Sequence, residues 1–403
     1  MRIPKLTFES ALICVLLLTP LLNINEVLSL INGSLVHHSS QETPLYLKLT
    51  KDFGMFVLLL IVLLDSLKQR KFSCYSLFFL LVMCTLLLPF AAFALANGDI
   101  FFLAGMRWIS PIVLGAAFIG KIREEHLLAT ARALSWLFLT SFLVQCTQLA
   151  FASNYYGLNI IGLPGRVGGF FIIPSTAAHF ACIAFMFAFY FLPQKEKKRK
   201  LILFLAPFSV LLAASATGAI VMTVAMFLVV AGRFAYFLLP VPVLALVLVW
   251  LYLPQITNRP DIYVSIEERG AILTKSVKDA EIVSTRFGRS TNSGVLLSAS
   301  KGENEATIAD SFYIAVLSNT GFLGFALLFI ATTGWSVWVF CAQRFDAICA
   351  TLIWGLFAMT TQITESFPAN LIMAILIGYY LGPVQRKQQQ VGSFNQNIIV
   401  PQY

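Results

Sequence analysis

Charge is scarce in this chain: Asp, Glu, Lys and Arg make up 12% of its 403 residues, where soluble domains carry about a quarter. That shortage, with 58% hydrophobic residues and a mean hydropathy of +0.82, excludes a soluble globular domain and points to a polytopic membrane protein. The alternating pattern of about ten residues that builds an outer-membrane barrel is also missing. Apolar runs of about 17–25 residues, bounded by charges, instead fit helices crossing a ~30 Å hydrocarbon core. The fold class expected is all-α, a single transmembrane domain over 1–403.

Cysteine and histidine offer neither a disulfide framework nor a metal centre. The seven cysteines (Cys14, Cys74, Cys84, Cys146, Cys182, Cys341, Cys349) lie in or beside apolar runs. His37 and His38 share a loop without carboxylate–histidine spacing, and His179, inside an apolar run, reads as a hydrogen-bonded core histidine. No Gly-rich nucleotide motif, no Asp-x-Asp and no paired acids at outer helix starts are present, which argues against nucleotide-sugar use and a metal-dependent mechanism. Neither a cofactor nor a nucleic-acid partner is expected.

The bases that are present fall at alternate turns. Lys and Arg near span ends stay cytoplasmic, and Arg2/Lys5, Lys68–Lys71, Lys121–Arg123, Lys195–Lys200, Arg233, Arg344 and Arg386–Lys387 share that face for spans near 8–24, 53–67, 73–96, 101–120, 127–149, 170–193, 201–216, 218–232, 234–254, 310–334, 347–363 and 370–384. That arrangement has twelve spans with both termini inside. The first run follows Arg2 and Lys5 like a signal peptide, but no small-residue cleavage site follows it, so it reads as a retained helix. Ser215-Ala-Thr217-Gly218 divides 201–232 into two short spans.

The outer face then carries the polar chemistry, above all the long segment 255–309. Within it, Ile262, Ile266, Leu273, Val277 and Ala280 predict an amphipathic helix over Asp261 to Val283, and Ser290–Ala299 reads as a Ser/Gly-rich loop. Its seven bases and seven acids cancel, so anion binding there needs particular arginines, such as Arg286 and Arg289. Where the segment meets the next span, Asp310 serves as an N-cap or as a base at a membrane–water boundary, beside Ser311 and Tyr313. Arg166 stands in the Gly/Pro-rich Leu163–Pro174, a frame that can hold a guanidinium fork against phosphate, or it is a snorkelling anchor. Arg107 lies inside an apolar run, where a charge faces a cavity or a partner. Glu365, with Thr364, sits between two late spans as a polar boundary residue or the partner of an arginine.

Ser311, nine residues, then Gly321-Phe-Leu-Gly324 resembles a pattern of the Wzy-type O-antigen polymerase and O-antigen ligase superfamily of bacterial inner membranes. The span number, the Arg-bearing Gly/Pro loop, the Ser-Ala-Thr-Gly turn and the long late loop are similar to that superfamily as well. Asp310 takes the place of the ligase histidine, which favours the polymerase branch. The resemblance implies transfer of a glycan from undecaprenyl diphosphate to a second lipid-linked repeat unit, at the periplasmic face and without metal. Arg166 with one or both of Arg286 and Arg289 would hold the diphosphate, Asp310 would orient or deprotonate the acceptor hydroxyl, and Ser311 and Tyr313 would bind sugar. Membrane lipids and a chain-length regulator are the implied partners. The alternatives are the ligase that moves polymer to lipid A core and a lipid-linked glycan flippase.

Overall fold

The computed structural model describes residues 8–31, 44–69, 77, 81, 92, 95–96, 101–151, 166–171, 173–231, 244, 247–248, 251–252, 254–255, 262–300, 311–342 and 344–382. Every regular element among the described residues is helical. In chain order these are α1 (Phe8–Leu17), α2 (Ile24–Ile31), α3 (Leu45–Gln69), α4 (Phe101–Phe118), α5 (Glu124–Phe151), α6 (Pro174–Tyr190) and α7 (Lys197–Ala213). There follow α8 (Ala216–Ala231), α9 (Ile262–Lys278), α10 (Asn292–Ser300), α11 (Phe312–Cys341), α12 (Phe345–Ala358) and α13 (Ala369–Tyr380). Phe8–Leu28, Phe101–Phe118, Glu124–Ala150 and Phe312–Cys341 are long and apolar enough to cross a membrane, and Pro174–Tyr190, Ala216–Val230, Phe345–Ala358 and Ala369–Tyr380 are shorter apolar helices. The chain is a helical membrane protein of several passes.

Local sequence explains several of the helix breaks. Pro20 stops α1, and the chain passes through a 3₁₀ turn at Thr19–Asn23 before α2, so the expected straight span 8–24 is interrupted. Pro174 opens α6 at its first position, where a missing N–H costs nothing. Pro111 lies inside α4 and cannot donate to the carbonyl of Arg107. The Ser110 hydroxyl donates to that carbonyl instead, at 2.8 Å. Ala214 takes left-handed backbone (φ 45°) and separates α7 from α8 beside the Ser-Ala-Thr-Gly sequence. α8 then packs along α6 and α12, with Gly218 against the Ala178 methyl.

The core is centred on α6, buried without a gap from Ala177 to Ala188 and packed against α5, α7, α8 and α12. α13 runs against α4, with Gly378 on Phe118 and Gly115 on Ile377. One end of the bundle is basic: Lys121 pairs with Asp65 (2.9 Å), Arg132 with Glu196 (2.9 Å) and Arg344 with Asp346 (2.7 Å). The opposite end carries Asp52, Arg107, Arg166, Arg289 and Glu365.

Three expectations change. α11 is not one straight span over 310–334: it runs to Cys341 and breaks at Gly321, whose φ of 72° and ψ of −170° belong to glycine alone. Tyr313 and Trp335 lie 22 residues apart, about 33 Å along a straight helix, yet they bond to Gly355 and Thr351, one turn apart on α12. The break folds the helix back, leaving Phe312–Thr320 inside the protein and most of the later half exposed. Ser290–Ala299 is largely helix, α10, and no Ser/Gly loop, because a distant carboxylate caps it. α3 begins at Leu45, eight residues before the expected span. The expected amphipathic helix is present as α9, with Leu273 and Val277 exposed. Spans 73–96 and 234–254 fall almost wholly outside the described residues.

Candidate functional site at the polar end

Two groups of side chains build the polar end. The first gathers on α3, α4, α10 and the turn after α12. The Arg107 Nε lies 3.1 Å from Asp52 Oδ2, and its Nη1 donates to Ser293 Oγ at 2.7 Å. The Ser293 hydroxyl donates in turn to Glu365 Oε1 (2.6 Å), and the same carboxylate accepts the amides of Asn292 (2.6 Å) and Ser293 (3.2 Å). Glu365 therefore caps α10 across 72 residues of sequence, supplying negative charge where first-turn amides point outward. Arg107, placed in an apolar run, is held by an ion pair and a hydroxyl.

The segment between α9 and α10 closes over this group. Phe287 is buried against Gly105, and Gly288 (φ 89°) lies on the first turn of α4, close to the Phe101 carbonyl. The Arg289 guanidinium lies 4.5 Å from the centre of the Phe101 ring, whereas Arg286 is exposed. Asn319 anchors the segment: its Oδ1 accepts Gly288 N (3.0 Å) and Ser290 N (3.1 Å), while Gln362 Nε2 donates to Ser290 O (3.1 Å). At the Gly321 break, Phe322 N and Leu323 N donate to the carbonyls of Glu281 and Ile282, both at 3.0 Å, and Ser284 Oγ donates to Ser318 O at 2.7 Å. Groups freed by the broken helix are thus satisfied by the segment that it holds.

Ser311 is buried and donates to Ala358 O (3.1 Å), and Tyr313 OH reaches Gly355 O (3.4 Å). Both expected sugar ligands secure the last-turn carbonyls of α12. They join the first group through Phe312, whose ring centre lies 5.7 Å from that of Trp108. Asp310 lies outside the described residues.

The second group belongs to α5 and α7. Arg166 Nε donates to Ala213 O at 3.2 Å, and Val167 N donates to Leu212 O at 3.1 Å, so both occupy carbonyls at the end of α7. Gln148 brackets the Gly169 peptide from both sides (3.1 and 2.9 Å), and Gln145 spans Val167 O (3.2 Å) and the Ser209 hydroxyl (2.7 Å). An apolar groove of about 470 Å³, lined by Phe142, Phe204, Leu205, Phe208, Leu211 and Leu212, follows α5 and α7 to this point. It ends where Leu212 and Ala213 receive Val167 and Arg166.

Sequence reading overlooked Asn319, Ser293, Asp52 and the pair Gln145/Gln148. A signal existed for three of them: Asn319, Gln145 and Gln148 are amides inside apolar helices, where a polar side chain marks a partner. Fold and site together define a multi-pass helical membrane protein with a structured polar site at one end of its bundle. No protein-family profile, no characterised protein and no solved structure matches the chain.

Proposed function

We propose that this protein is a polymerase of undecaprenyl-diphosphate-linked oligosaccharide repeat units, acting at the periplasmic face of a bacterial inner membrane. The observation that carries this reading is the apolar groove along α5 and α7, whose lining reaches Leu212, next to the Ala213 carbonyl that Arg166 binds: a long hydrocarbon tail followed by an anionic diphosphate matches that order of residues. In this reading twelve spans place both termini and the basic end in the cytoplasm. The groove takes the polyprenyl chain, and Arg166, with Arg286 and Arg289, takes diphosphate oxygens. The acceptor hydroxyl oxygen bonds to the anomeric carbon of the donor as its bond to phosphate breaks. The proton passes to the Asp310 carboxylate, and undecaprenyl diphosphate leaves with its charge matched by guanidinium groups. Arg107 and Glu365 keep α10 and the overlying segment in place for the acceptor glycan, and a chain-length regulator acts as protein partner.

One observation favours a transporter of the same lipid-linked glycan instead, since broken helices such as α11 line substrate paths in transporters. Purified protein in vesicles with lipid-linked repeats alone separates the readings. A ladder of polymer lengths, abolished by Arg166→Ala, is the expected result. Transfer that waits for lipid A core makes the protein a ligase, and movement across the bilayer without new bonds makes it a transporter.

A further inference from the structure

At the basic end, the turn between α6 and α7 concentrates positive charge beyond what its ion pairs consume. Six bases, Arg132, Lys195, Lys197, Lys198, Arg199 and Lys200, face one carboxylate, Glu196, a surplus of five. Glu196 is already committed, receiving Arg132 Nε and Nη2 on one oxygen at 3.1 and 2.9 Å. Lys197 to Lys200 form the first turn of α7, where the helix dipole is positive and cations are unfavourable. Among the described residues, no acid lies within ion-pair distance of these four.

The cluster is nevertheless organised. Lys198 Nζ sits 3.8 Å from the centre of the Trp136 ring, and Arg199 lies over Phe189 at 5.2 Å. The Arg199 Nε is buried without a hydrogen-bond partner in the protein. Beside it opens a groove of about 540 Å³ lined by Gln194, Lys195, Arg199, Lys200 and Leu203. α7 turns apolar immediately after Lys200, and Leu203 lines the groove one turn beyond Arg199, so it opens at the level where apolar helix surface gives way to polar chain; Trp136, exposed under Lys198, reports on the same turn.

We infer that this groove binds the phosphate headgroup of an anionic phospholipid. A phosphodiester there offsets both the surplus of bases and the helix dipole. Leu203 meets the acyl chains, which a free phosphate lacks. The site is independent of the chemistry proposed for the opposite end.

The test uses the full-length protein in phosphatidylcholine vesicles doped with brominated phosphatidylglycerol or brominated phosphatidylcholine. Trp136 fluorescence is obtained by difference from Trp136→Phe. Brominated phosphatidylglycerol quenches Trp136 several-fold more than the neutral lipid at equal mole fraction. Arg199→Gln with Lys200→Gln removes the attraction of two membrane-surface bases and brings quenching by the two lipids close to equal. Three bases remain in the turn to keep its orientation, and Lys275→Gln with Lys278→Gln on α9, removing equal charge elsewhere, leaves the preference intact. Equal quenching by the two lipids, or an unchanged preference in the Arg199/Lys200 variant, overturns the site. Recovery of Trp136 fluorescence on adding inorganic phosphate overturns the lipid as its ligand.

Discussion

The two ends of the bundle hold their charges by different means. At the basic end, side chains pair with side chains: Lys121 with Asp65, Arg132 with Glu196, and Arg344 with Asp346 two residues away. Burial opposes the charge on Arg344, but the hydrogen bond and charge of Asp346 more than offset it, so its pKa lies above the ordinary arginine value. At the polar end, where Arg107 alone is ion-paired in this way, with Asp52, among the described residues, the carboxylate of Glu365 and the amides of Asn319, Gln148 and Gln362 bind peptide groups of distant segments. A basic end of this kind needs charge in roughly the right place. The polar end needs shape, because peptide groups can be met from only a few directions.

Substitutions should therefore divide by end. Gly321→Ala breaks the polar end most severely: a methyl there meets the carbonyls of Glu281 and Ile282 at 2.6 and 2.8 Å on left-handed backbone. A loss of about 3 kcal/mol or more follows, read as a fall in thermal unfolding temperature in detergent with new protease cuts over 281–293. Asn319→Ala strands the Gly288 and Ser290 amides and costs about 2 kcal/mol or more; unchanged hydrogen exchange at those two amides would contradict the anchoring role. Glu365→Gln keeps one acceptor but loses charge and the second oxygen, a cost of about 1–2 kcal/mol seen as faster exchange at Asn292 and Ser293. At the other end, Lys121→Ala removes a half-exposed ion pair and shifts stability by roughly 0.5 kcal/mol or less. Should it destabilise as much as Asn319→Ala, the distinction between the ends collapses.

The sequence foretold the helical class, the division near Ser215–Gly218 and the need of Arg107 for a partner, because apolar length, small residues and a charge in an apolar run are local signals. It did not foretell the break in α11. Apolar residues continue on both sides of Gly321, and only the approach of the 281–284 carbonyls shows why glycine stands there. Gly324 makes room for the Thr320 side chain, so the two glycines of the motif serve different contacts. α10 escaped notice for a related reason: Ser and Gly signal a loop, and its cap comes from Glu365. Ser311 and Tyr313 were legible as polar residues at a helix start, but their bonds to α12 depend on the folding back of α11.

The shortness of α12 and α13 has a consequence for depth. Helices of 14 and 12 residues are about 21 and 18 Å long, well under a ~30 Å hydrocarbon layer. Neither helix crosses such a layer by itself, and in the non-helical turn that joins them Gln362, Thr364 and Phe367 are sheltered by protein. Glu365 meets Arg107 through Ser293, and Arg107 stands six residues, about 9 Å, along α4 from its start, so the turn between the two short helices is tied into the body of the bundle rather than to its rim.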